Sequence, residues 1–192
     1  MPTPKIDYKL LGQAVSFYEE RGFKYVEVPW AVEKEAIRAT LPEDFPYMEI
    51  AEKVDGRLLP SNGENCLVGS AEQGFLALNL LPGKYVGVTP CFRIEPKQDL
   101  FYQEMFMKVE LYSNHPNMKV EEFIKSAELF FQEHSYGTTR RLETRDGTDL
   151  MLADIEIGSY GERLHDDLGR WVYGTGLALP RFSVANALAR VL

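Results

Sequence analysis

Residues 84–91 and 104–112 each read as a strand, and the polar turn Pro96-Lys97-Gln98-Asp99 marks the connection between them. A second pair, 138–144 and 149–157, is joined at Asp146-Gly147. Strands that follow one another through such turns pair antiparallel. The chain also lacks the regular strand–helix alternation that builds a parallel nucleotide-binding sheet. Helices fall around these strands. Asp7 can cap a helix over 7–21 that carries Leu10, Leu11, Ala14, Phe17 and Tyr18 on one face, with Gly22 as its stop. Residues 23–28 alternate as a strand that Pro29 ends. A helix over 71–81 closes at Pro82-Gly83, and 120–134 is amphipathic through Val120, Phe123, Ile124, Ala127, Phe130 and Phe131. Residues 40–65 read as loop with one short element, and 174–179 runs into a final helix. The order predicts an α+β fold, an antiparallel sheet flanked by helices, as a single domain over 1–192.

Composition narrows the function. At 192 residues and 45% hydrophobic, the chain can bury one good core. Its 21 basic and 29 acidic residues leave a net charge of −8, and no basic run exceeds Arg140-Arg141. Phosphate neutralisation is what holds a nucleic acid, so this balance favours small-molecule chemistry over general tRNA or DNA binding. No apolar run has the length of a membrane span, and Met1-Pro2-Thr3-Pro4-Lys5 precedes no apolar stretch, so a cytoplasmic protein is expected. Cys66 and Cys91 suit buried thiols rather than a disulfide framework or metal site. His115, His134 and His165 show no ligand spacing, and Glu121-Glu122 suits the first turn of a helix.

Three segments carry chemistry as a set. In the first, a helix ends at Arg21-Gly22 and a strand runs to Pro29, which alone is ordinary amphipathic structure. In the second, Cys91-Phe92-Arg93-Ile94-Glu95 is followed by a turn and then Phe106-Met107-Lys108-Val109-Glu110. Arg93 and Glu95 share a strand face, as a cross-strand ion pair or as a guanidinium ready for a phosphate. In the third, Gly174-Thr175-Gly176-Leu177-Ala178-Leu179-Pro180-Arg181 leaves one strand face bare, for a flat ligand or for a close sheet–helix contact.

In this order the three resemble the signature motifs of class II aminoacyl-tRNA synthetases, and the likeness runs from about Tyr8 to Leu192. Gly147-Thr148-Asp149, Asp154-Ile155-Glu156-Ile157-Gly158-Ser159 and Trp171 before the final glycines are similar to the phenylalanyl and pyrrolysyl group. Ser70-Ala71-Glu72 resembles the Thr-x-Glu element of the seryl, prolyl and threonyl enzymes.

The resemblance implies ATP as substrate and magnesium as cofactor. Arg93 would bind the α-phosphate and the substrate carboxylate, and Arg181 the γ-phosphate. Glu95 would meet the adenine edge, Phe106 would stack on the ring, and Glu156 with Ser159 would hold magnesium. Glu72, with Glu110 and Ser159, would contact the amino acid substrate. Residues 8–30 would form a homodimer interface. Two positions depart from the family pattern: Tyr102 stands where Arg or His is usual, and Pro180 replaces a Glu before Arg181. These readings together imply activation of an amino acid or related carboxylic acid as its adenylate. With no room foreseen for an anticodon-binding domain, the acceptor would be a carrier protein, a metabolite, or a tRNA presented by a partner. The alternative is a non-catalytic paralogue that binds an amino acid or nucleotide and regulates a partner, which Tyr102 and Pro180 favour. A plain α+β interaction domain ranks last.

Overall fold

The computed structural model describes residues 6–40, 51–54, 57–60, 65–94 and 99–191. Helix α1 (Tyr8–Glu19) leads through β1 (Lys24–Tyr25), β2 (Ala31–Glu33) and α2 (Lys34–Arg38) to β3 (Ala51–Val54), β4 (Arg57–Pro60), β5 (Asn65–Leu67) and α3 (Ala71–Leu76). Then come β6 (Lys84–Phe92), β7 (Met105–Ser113), α4 (Val120–His134), β8 (Arg140–Thr144), β9 (Gly147–Leu152), β10 (Ile155–His165), β11 (Gly169–Leu179) and α5 (Arg181–Ala189). Seven strands form the main sheet in the order β1-β6-β7-β11-β10-β9-β8, while β2 pairs with β5 and β3 with β4. The antiparallel expectation holds except at one edge, where β1 runs parallel to β6. A parallel pair needs a long crossover, and residues 26–83 supply it.

One sheet face is dry. Asp7 caps α1 by accepting from the Leu10 N–H at 3.0 Å, and Gly22 ends the run at φ +81°. That helix buries Leu11, Ala14, Phe17 and Tyr18, and α4 buries Phe123, Ile124, Ala127, Phe130 and Phe131 against the same sheet. Their rings meet edge-on, Phe17 with Phe130 at 5.3 Å and Phe23 with Phe123 at 5.2 Å. Each such fully buried side chain stabilises by ~1.5–3 kcal/mol relative to exposure. Gly174 and Gly176 belong to this face. A Cβ at Gly174 would lie 2.5 Å from the Tyr160 ring, and one at Gly176 would lie 2.7 Å from the Tyr18 ring. The bare stripe expected from the sequence is therefore filled by core tyrosines, not left for a flat ligand.

The other face is covered only in part. Phe75 of α3 stacks on Tyr112 at 5.0 Å, and Val28 comes so close to β6 that only glycine fits at position 87. The remainder of that face, over β7, β11 and β10, is open and carries the cleft.

Several boundaries differ from expectation. The helix foreseen over 71–81 stops at Leu76, because polar ties hold the following residues in another path: Asn114 donates to Leu80 O and Tyr85 to Leu81 O. The strand foreseen over 149–157 is two strands, turned at Ala153-Asp154 with both residues in the left-handed region, φ 48° and 61°. Alanine is a poor signal for that turn, so the break was invisible. Residues 160–165 and 169–174 are the paired arms of the long β10–β11 hairpin, with Trp171 on the second. Within 40–65 the described residues form β3 and β4 rather than one short element, and β5 starts at its end. Cys66 and Cys91 are buried thiols, as expected; burial pushes the Cys91 thiol up to about 12.

Candidate functional site

Strand register sets the cleft floor. On β7 the cleft face carries Phe106, Lys108 and Glu110, spaced by two. On β11 it carries Tyr173, Thr175 and Ala178, and on β10 Glu156, Ser159 and Arg163. A spacing of three does not keep one face unless an extra residue intervenes. Both strands have one: the register shifts between Glu156 and Gly158 on β10, and between Thr175 and Leu177 on β11. The bulges bring Glu156 onto the face of Ser159, and Ala178 onto that of Thr175. The β11 bulge also takes carbonyls out of the ladder, and two buried phenols satisfy them. Tyr160 donates to Thr175 O at 2.6 Å and Tyr18 to Gly176 O at 2.9 Å. Burial raises both phenols well above their ordinary pKa, so they remain donors.

These residues, with Arg93, Glu72 and Arg181, line one cleft of about 270 Å³, near the lower end of small-molecule sites. Every site residue expected from the sequence is among them except Glu95, which lies outside the described residues.

The charges sort into pairs. Lys108 bonds Glu110, Arg163 lies 2.9 Å from Glu72, and Arg181 lies 3.2 Å from Glu156. Arg93 is the cleft cation with no carboxylate partner among the described residues. Its Nε donates to Gly69 O at 3.0 Å, and its guanidinium sits 5.2 Å from the Phe106 ring. That fixes the side chain while leaving its outer nitrogens for an anion.

The two candidate ammonium acceptors differ. Both Glu110 oxygens are used: Oε1 and Oε2 accept from Ser70 Oγ at 2.8 and 2.9 Å, Oε2 also from the Ala71 N–H, and Oε1 also from Lys108. Glu110 thus anchors the start of α3 rather than offering a free carboxylate. Glu72 places both its bonds on Oε1, from Trp171 Nε1 at 2.7 Å and Arg163 Nε at 2.9 Å. Its Oε2 has no partner among the described residues, in a carboxylate only 6% exposed. Burial raises the Glu72 carboxyl above its ordinary value, against the opposing pull of Arg163 and Trp171.

Glu156, Ser159 and Asp149 gather on neighbouring strands, with Ser159 opposite Asp149 and hydrogen-bonded to it; burial holds the Asp149 carboxyl above its usual range. Among the described residues no group of three His, Cys, Asp or Glu side chains converges for a metal. Two carboxylates and a hydroxyl do match the way magnesium binds through one or two carboxylates plus substrate phosphates. The histidines are structural: His115 and His165 accept from nearby backbone N–H groups, and His134 stacks on Phe130.

Sequence reasoning missed Lys108, Arg163 and Tyr173 as cleft residues. Lys108 was legible, since it shares the period-two face of Phe106 and Glu110. The pairing of Arg163 with Glu72 spans 91 positions and leaves no local signal.

This sheet with its helices has the fold of a class II aminoacyl-tRNA synthetase catalytic core, and in sequence the chain is similar to enzymes of that class. It superposes on the cytoplasmic serine-tRNA ligase of Naegleria fowleri, solved in complex with AMP, at a TM-score of 0.68 and 17% identity, covering 92% of this chain and 46% of that one. For the pyrrolysyl-tRNA synthetase of Desulfitobacterium hafniense the TM-score is 0.67 at 18% identity, over 95% and 70%. In sequence, it is similar to the serine-tRNA ligases of Ignicoccus hospitalis, 30% identical over 135 residues, and Staphylothermus marinus, 28% over 199. These alignments cover 64% and 94% of this chain and only 29% and 40% of the relatives. No family model matches the chain. Among the described residues no helix is long and apolar enough to cross a membrane.

Proposed function

We propose that the chain binds ATP in this cleft and activates an amino acid as its adenylate. The observation that carries the reading is convergence: Arg93, Phe106, Arg181 beside Glu156, and buried Glu72 line one cleft, and among the described residues Arg93 has no carboxylate partner and Glu72 Oε2 no hydrogen-bond partner. In the reaction a carboxylate oxygen of the amino acid attacks the α-phosphorus of ATP. The bond to the bridging oxygen breaks, and pyrophosphate leaves with the electron pair. No protein base is needed, because the carboxylate is already ionised at neutral pH. Catalysis then rests on positioning and charge stabilisation. Arg93 meets the charge that develops at the α-phosphate, and Arg181 holds the far end of the triphosphate. Phe106 stacks on adenine. Glu72 Oε2 receives the substrate ammonium, a role that Glu110 cannot share. Glu156 and Ser159, with Asp149, would hold magnesium, which when bound shields phosphate charge.

The seryl and pyrrolysyl likenesses support an amino acid as substrate and leave its side chain open. Whether the acceptor is a carrier protein, a metabolite or tRNA with a partner is equally open, and residues 8–30 are proposed as a homodimer interface. The test is amino-acid-dependent ATP–pyrophosphate exchange across the common amino acids. Exchange with one of them, abolished in Arg93→Ala with the fold intact, supports the reading. ATP binding without exchange would favour the regulatory paralogue, and no ATP binding at all would sink the enzyme.

A further inference from the structure

Each of three cleft arginines lies over an aromatic ring: Arg93 over Phe106 at 5.2 Å, Arg163 over Tyr173 at 4.8 Å, and Arg181 over Tyr102 at 5.1 Å. The third pair contains Tyr102, and Pro180 precedes its arginine; these are the two positions that depart from the family pattern. Tyr102 occupies the place of a cation, and Pro180 the place of a carboxylate beside Arg181.

Arg181 is not left loose by these changes. Its Nε donates to Phe101 O at 3.3 Å, its Nη1 meets Glu156 Oε1 at 3.2 Å, and its guanidinium carbon lies over the Tyr102 ring at 5.1 Å from the centroid. The platform under the ring is itself fixed. Asp99 Oδ1 accepts from the Phe101 N–H at 2.7 Å and the Tyr102 N–H at 2.9 Å, and the Asp99 N–H donates to Tyr102 O at 2.9 Å. A planar guanidinium held at two nitrogens and placed over a ring has little freedom to rotate, while Nη2 has no partner among the described residues. The Arg181 side chain is 18% exposed and lines the cleft.

We infer that Tyr102 is a positioning residue for Arg181. Its ring, together with the Glu156 carboxylate, holds the guanidinium ready for the nucleotide's terminal phosphates. The assignment rests on the activation reading above. It does not require the Tyr102 hydroxyl, because the ring face makes the contact, and this separates it from a direct phosphate ligand at the same position.

The test compares Tyr102→Ala, Tyr102→Phe and Arg181→Ala with the parent chain, by ATP titration calorimetry and by ATP–pyrophosphate exchange. Tyr102→Ala should weaken ATP about two- to fivefold, the worth of a half-exposed cation–π contact, with KM for the amino acid unchanged. Tyr102→Phe should restore the parent ATP affinity. Equal affinities in parent and Tyr102→Ala, with Arg181→Ala impaired, would overturn the assignment and leave the activation reading standing. A Tyr102→Phe chain as weak as Tyr102→Ala would also overturn it, because the hydroxyl would then be the active group. A second readout needs no nucleotide: the Arg181 Nε–H proton should carry a ring-current shift that disappears in Tyr102→Ala and persists in Tyr102→Phe. No such change overturns the contact. A parent chain that binds no ATP overturns the activation reading, and the purpose of the contact with it.

Discussion

Tyr18 and Tyr160 are the residues whose hydroxyls most directly hold the site in shape. Both are fully buried, and each closes on a carbonyl that the β11 bulge removes from the ladder. Tyr160→Phe leaves the Thr175 carbonyl unpaired in a dry interior, which should cost ~1–3 kcal/mol in urea unfolding. A variant as stable as the parent would show that another donor satisfies the bulge. Glu72 gives a second prediction at this scale. Its carboxyl is raised in the fold chiefly by burial, from an ordinary value of about 4.5. The sign follows: Glu72 favours the folded state below the unfolded value, and that contribution is lost as pH rises through the higher folded value. Ammonium binding needs the ionised form, so KM for the amino acid should climb as pH falls through the raised value, above the usual carboxylate range. In Glu72→Gln the KM should be high throughout and lose this inflection. An unchanged pH profile in Glu72→Gln would remove Glu72 from the ammonium site.

At the scale of elements, packing closes some positions that propensity leaves open. Gly87 sits in the middle of β6 beneath Val28 and Phe75, and a Cβ there would lie 2.3 Å from Val28 Cγ2 and 3.0 Å from the Phe75 ring. Gly87→Ala must therefore push the segment after β1 and helix α3 off the sheet, costing ~1–3 kcal/mol as overpacking does. Helix α3 carries Glu72, so the same variant should also raise KM for the amino acid. A thermal midpoint equal to the parent's would show that the layer gives way freely. The same contrast explains what could be read in advance. Helices α1 and α4 were legible because Leu11, Ala14, Phe17 and Tyr18, and Phe123 through Phe131, repeat at helical spacing over about two turns each. Arg93, Phe106 and Arg181 were legible through motif spacing. The β9–β10 turn at Ala153-Asp154 was not, since alanine is a poor turn signal, and neither were the two bulges and the Glu72–Arg163–Trp171 cluster, which join residues far apart in sequence. The glycine stripe left two readings open for a related reason: spacing shows that a face is bare but not which neighbour fills it, and close packing fills it here.

Across the whole molecule, charge and exposed aromatic surface oppose one another, and that opposition makes the dimer proposal testable. Tyr8, Tyr25 and Trp30, all within residues 8–30, are 71%, 46% and 58% exposed. Covering them in a two-fold interface would remove apolar surface from water, and closed symmetric pairs are the commonest assembly of this kind. Against it, two copies that each carry a net charge of −8 repel. Screening shortens that repulsion from a Debye length of about 30 Å at 0.01 M salt to about 8 Å at 0.15 M, while apolar contact is little weakened. The dimer should therefore tighten as salt rises across that range, the opposite of an interface held by ion pairs. Light scattering at increasing protein concentration should show the doubled mass at 0.15 M salt first. Trp30→Asp should restore the single-chain mass while the circular dichroism spectrum stays that of the parent. A single-chain mass at every concentration and salt would remove the 8–30 interface, and a dimer that weakens with salt would place the contact on charged surface instead.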